Sequence, residues 1–131
     1  MNRSPFTLIP ASKYEVEKAQ QLVELGWPAV QPVLPQILEW LQDLNWPVAR
    51  VLQPFVASIG APLAPAMRDV LVGSDSSWKY SLVVGVLAHS ASLQSALVPE
   101  LKWLAEGSGR ADSDEGVQDA ARNLLQRISV P

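Results

Sequence analysis

The chain of 131 residues is long enough for one domain with a real core, and 48% apolar against 18% charged residues indicates a folded protein. A net charge of -3 without any run of Lys or Arg argues against nucleic acid as a partner, because such binding rests on a basic face. With no cysteine there is no disulfide framework, thiolate metal site or cysteine nucleophile, and a cytoplasmic location is expected.

Met1 to Ser12 has no period and is broken by Pro5 and Pro10, so it is expected to be an extended lead-in, too short and interrupted for a signal peptide. Ser12 followed by Glu15 has the capping-box pattern, and a helix is expected from there, with Val16, Ala19, Leu22 and Val23 on one face. Gly26 stops it. Trp27-Pro28 opens the next element, which Pro32 and Pro35 delay, leaving a regular helix over Pro35 to Gln42. Trp40 to Arg50, WLQDLNWPVAR, is then a helix end, a polar corner capped by Asn45, and Trp46-Pro47 starting a helix with Val48, Val51, Leu52, Phe55, Val56 and Ile59 as its stripe. Pro54 should kink that helix. A further helix is expected between Leu63 and Gly73. Ser74 to Ser77 cap one beginning near Trp78; it is apolar nearly all round, which suits a central position. Its run Leu82 to Ala88 is the longest apolar one and far shorter than a membrane span, so no membrane is expected as partner. Ser90 to Ser92 turn the chain into a helix over Leu93 to Glu106, Gly107 to Ser113 is expected to be a mobile loop, and a last amphipathic helix carries Val117, Ala121, Leu124 and Ile128.

Three of these stretches repeat. VLPQILEWLQD from Val33, LAPAMRDVLVG from Leu63 and LVPELKWLAEG from Leu97 each place a Pro in the first turn, an apolar residue two positions later and a turn residue eight positions after the Pro. The Pro35, Pro65 and Pro99 spacings are 30 and 34 residues, a period typical of helical-repeat solenoids. The expected fold is therefore all-α, a short right-handed solenoid of about three helix pairs plus a C-terminal capping helix, about seven helices in one domain. The pattern resembles HEAT-like alpha-alpha repeats. Leu8 to Gly73, with LIP, VLPQILEWLQDLNWPVA and the later DSSWKY, resembles a small bacterial family of unknown function, most sharply at EWLQDLNWPVA and more weakly after Gly107. That resemblance implies a helical-repeat fold and brings no activity.

Catalytic signatures are absent. His89 is the only histidine, at a helix end where a structural role suffices, and no strand-turn-helix elbow presents Ser90, Ser92 or Ser95 as a nucleophile. Asp112, Asp114 and Glu115 lack EF-hand spacing and read as charges at a helix start. No metal or cofactor is expected. The feature above background is five tryptophans. Trp46 and Trp78 take the same place in consecutive units, just past the turn, with Asp43, Asn45 and Arg50 around one and Asp75, Lys79 and Tyr80 around the other. Aromatic anchors with mixed polar neighbours suit a protein-binding hot spot along one edge of the stack. The competing reading puts both indoles in the core, each N–H bonded to a neighbouring turn. Trp40 and Trp103, at helical spacing among apolar residues, are expected in the core; Trp27 is open. The functional expectation is a non-enzymatic module that binds a protein or peptide, with an immunity-type inhibitor as one form of it by analogy of architecture. The alternative is a small enzyme or nucleobase-binding protein using Trp46, Trp78 and Asp43 or Asp75, which a basic groove would favour.

Overall fold

A computed structural model describes residues 4–108, 110–114 and 116–129. All regular elements among them are helical: α1 (Val16–Leu25), α2 (Leu34–Glu39), α3 (Pro47–Ile59), α4 (Ala64–Leu71), α5 (Ser76–Gly85), α6 (Ala91–Ala96), α7 (Val98–Ala105), α8 (Arg110–Asp114) and α9 (Val117–Ser129). Short 3-10 turns lie at Pro5–Leu8, Gln31–Val33, Ala61–Leu63 and Leu87–His89. None of these helices is long and apolar enough to cross a membrane.

Prolines set the helix starts. α2 and α4 are each entered through a 3-10 turn with a Pro at its start, and each then carries a second Pro in its own first turn, giving the pairs Pro32 with Pro35 and Pro62 with Pro65. The first-turn N–H groups of a helix have no internal partner, so a ring that lacks one costs nothing there and fixes φ in advance. The third repeat starts differently. The single helix expected over Leu93 to Glu106 is two, because Leu97 leaves helical geometry at φ -118°, ψ 20° just before Pro99. Pro99 has no N–H for the Ser95 carbonyl and crowds Val98.

Other expectations are corrected at the edges. α1 begins at Val16, not at Ser12. The Glu15 carboxylate reaches back to the Ala11 N–H while Ser12 Oγ accepts from Tyr14 N at 3.3 Å, so these two side chains hold a turn before the helix. The lead-in expected to be extended contains the Pro5–Leu8 turn and buries Leu8, and the backbone N–H of Val48 donates to the Lys13 carbonyl at 3.1 Å, tying this strap to the start of α3. The stretch expected as a loop from Gly107 to Ser113 contains most of α8, with Asp112 buried.

α1 packs on α3, and the three helices of the repeated stretches lie in series, α2 on α4 and α4 on α7. α9 covers α5 and α7. Leu22, Leu38, Leu52, Met67, Leu82 and Leu101 belong to one continuous core. α5 is its hub. Gln53 Nε2 from α3 donates to the Gly85 carbonyl at 2.8 Å, and Leu44 packs so closely on Gly85 that a Cβ there would stand 2.7 Å from a Leu44 methyl.

Candidate functional site

α5 also organises the surface beside the corner. Trp78 and Ser81 are three apart and so share a face of α5. Trp78 Nε1 donates to the Leu38 carbonyl at 2.8 Å, and Ser81 Oγ donates to the Gln42 carbonyl at 3.0 Å. Carbonyls in and beyond the last turn of α2 thus find donors on a neighbouring helix. With its N–H spent inward, the half-buried Trp78 ring turns apolar surface to a groove of about 380 Å³.

The groove has two walls and a lip. α2 supplies Pro35, Leu38 and Glu39, and α4 supplies Ala66, Asp69 and Val70, in each case one ridge of i, i+3, i+4 neighbours. Gly73, Ser74 and Asp75 form the lip. Asp75 caps α5, its Oδ1 accepting from Trp78 N at 3.0 Å. That bond fixes the first turn of α5 and with it the indole. Every charged residue lining the groove is a carboxylate, Glu39, Asp69 and Asp75, and all three are exposed.

The eight residues expected along one edge fall into four places. Asp75 and Trp78 line the groove. Asp43, Asn45 and Tyr80 meet in a second cleft with Ser77 and Ser81; there Asp43 Oδ1 accepts from Asn45 N at 2.9 Å, shaping the corner. Trp46 packs edge-on against Trp40 with ring centroids 5.7 Å apart, half-buried, and Arg50 is exposed one turn along α3. Lys79 points inward. Only 2% of it is accessible, and its Nζ lies 2.9 and 3.2 Å from the two carboxylate oxygens of Asp112. Ser76 Oγ donates to Asp112 at 2.5 Å and Ser108 Oγ also donates to it, so four donor contacts surround one buried carboxylate. Burial pushes the Asp112 carboxyl up, but the bonds from Ser108, Ser76 and Lys79 and the Lys79 charge outweigh it and hold the group below its ordinary value.

Sequence reasoning missed this pair because a Lys in DSSWKY reads as surface and Asp112 lies in a polar stretch 33 residues away. Trp103, expected in the core, is 41% exposed, with Lys79 Nζ 5.4 Å from its ring centroid. Asp112, expected with Asp114 and Glu115 as one of the charges at a helix start, is instead buried and committed to Lys79; the side chains of Asp114 and Glu115 lie outside the described residues. The groove walls carried a legible signal, the Pro-x-x-Pro pairs 30 residues apart that set α2 and α4 in matching register.

The family model of a domain of unknown function, DUF5071, matches residues 8–125. The chain belongs to that family. The match takes in α1 to α8, the whole groove and most of α9. No curated protein matches the chain.

Proposed function

We propose that this DUF5071 chain is a non-enzymatic interaction module that takes a segment of another protein into the groove between α2 and α4. The observation that carries the reading is the floor and walls of that groove: Trp78 held rigid by two hydrogen bonds, with Pro35, Leu38, Ala66 and Val70 around it. A pre-positioned aromatic surface of this kind binds at small entropic cost, and a volume near 380 Å³ is at the low end of the range of about 300–1,000 Å³ in which ligand pockets fall. The wider architecture fits a short HEAT-like stack, because the three repeated helices α2, α4 and α7 lie side by side in chain order. An immunity-type inhibitor would use the same groove to hold its target.

The test is selection of displayed random peptides on the immobilised chain, with counter-selection on Ala66→Lys, whose long side chain fills the groove from a helix position that tolerates it. Enrichment of related sequences that bind the parent and not the equally folded variant supports the reading. Peptides that bind both alike, or no enrichment, sink it.

A further inference from the structure

Resting on that reading, we infer that the groove is built for a basic amphipathic segment: a bulky aliphatic side chain laid on Trp78, flanked by lysine or arginine side chains held by Glu39, Asp69 and Asp75. Asp75 caps α5, but the charges of Glu39 and Asp69 oppose the helices that carry them. Glu39 is the last residue of α2, and Asp69 lies in the last turn of α4. Carboxylates at those positions oppose the partial negative charge of a helix C-terminus, which costs stability. Among the described residues neither has an ion-pair partner. The cations adjacent in sequence to the groove lining are used elsewhere: Lys79 is buried on Asp112, and Arg68 Nε is 3.1 Å from Glu100 Oε2. Three carboxylates and two helix C-terminal ends therefore converge on an apolar cleft with no cation in its lining. An anionic occupant would be repelled, and a purely apolar one would leave that potential unanswered.

The dimensions set the length of the segment. α2 has six residues, which at about 1.5 Å each makes a wall about 9 Å long. Extended chain advances about 3.3 Å per residue, so the groove accepts about three residues, one apolar anchor between two basic neighbours. Leu38 and Val70 then bracket the anchor while the basic stems lie along the walls and place their charges at the rim.

The experiment titrates the chain by calorimetry with three synthetic peptides of equal length, alternating leucine with lysine, with glutamine or with glutamate. The variants are Glu39→Gln/Asp69→Asn/Asp75→Asn and Ala66→Lys, both checked by thermal melt. The triple variant should fold, since Glu39 and Asp69 are exposed and Asn caps a helix as well as Asp. The lysine peptide is expected to bind at least about tenfold tighter than the glutamine one at low salt, to lose that advantage in the triple variant and at high salt, and to lose binding in Ala66→Lys. Equal binding of lysine and glutamine peptides, both abolished by Ala66→Lys, overturns the basic preference and leaves the groove reading standing. Binding indifferent to Ala66→Lys, or none by any peptide, overturns both. Self-association of the parent chain, abolished by Ala66→Lys, assigns the groove to a second copy and also overturns the inference.

Discussion

Lys79→Met tests whether the buried pair behaves as its geometry requires. The change removes the cation and keeps the bulk of the stem, leaving Asp112 with 5% side-chain exposure and only the two serine donors. Removing one partner of a buried pair typically costs about 3–5 kcal/mol, because the other charge stays desolvated. The loss has a ceiling. The orphaned carboxyl can take up a proton, and from its ordinary value of 3.8 that costs about 4.4 kcal/mol at pH 7 but only about 1.6 kcal/mol at pH 5, at 1.36 kcal/mol per pH unit. The variant's penalty should therefore shrink by about half to two thirds between those two pH values. With an unfolding entropy of about 2.1 cal/mol/K per residue over 131 residues, the ceiling at pH 7 corresponds to a fall in Tm of about 16 °C. The parent has the opposite dependence: its Asp112 is held below 3.8 when folded, so that contribution is complete above 3.8 and is lost as pH falls from there through the folded value. Urea unfolding of parent, Lys79→Met and Lys79→Met/Asp112→Leu at pH 7 and pH 5 measures all of this, and the double variant should recover most of the loss. A penalty under about 1 kcal/mol at pH 7, or one that does not change between the two pH values, refutes the reasoning.

Three further substitutions separate structural from exposed roles. Gly60→Ala should cost about 1–3 kcal/mol in urea unfolding, since Gly60 sits at φ +79°, ψ -138° and a Cβ there would meet Ser92 Oγ at 2.5 Å. Trp78→Phe keeps a ring over the groove but deletes the bond to the Leu38 carbonyl; a loss of about 0.5–1.5 kcal/mol is expected, with near-UV circular dichroism otherwise preserved. Trp46→Ala should lower stability by about 2–3 kcal/mol, less than for a fully buried indole, because the ring packs on the core and on Trp40 but stays half-buried; a thermal shift within error of the parent would contradict that packing.

Helix positions were readable where local chemistry decides them. Prolines at first turns, Gly26 at a helix end, and the stripes Val48–Leu52–Val56 and Leu82–Val83 all express their own neighbourhood, and the structure buries those apolar residues. What was hidden depends on contacts between distant parts of the chain. Nothing near Lys79 in sequence announces that it turns inward, because the carboxylate that receives it arrives from α8. The same contact explains why a polar stretch expected to be a mobile loop holds a helix: Asp112 has a buried partner to reach, so the residues around it are ordered about that bond. α1 shows the local limit of motif reading. Ser12 and Glu15 make the contacts a capping box advertises in kind, but on Tyr14 and Ala11, and the helix waits until Val16.

The equivalence of Trp46 and Trp78 in the repeat shows what a register argument carries and where it stops. Both residues stand at a helix start beside a turn, as the alignment of units requires. Their surroundings differ because the units before them differ. Trp46 follows α2 and the corner, where Trp40 lies in reach and takes its ring, so the indole closes the joint between α2 and α3. Trp78 follows α4 and the Gly73–Asp75 turn, and its ring reaches across to the Leu38 carbonyl of α2 and leaves one side over the cleft between α2 and α4. Positions that match in the sequence thus yield one indole paired with a neighbouring ring and one that bonds across to α2 and floors the groove. The groove exists because α2 and α4 are set in register by matching prolines, and its acidic rim exists because both helices end there in carboxylates.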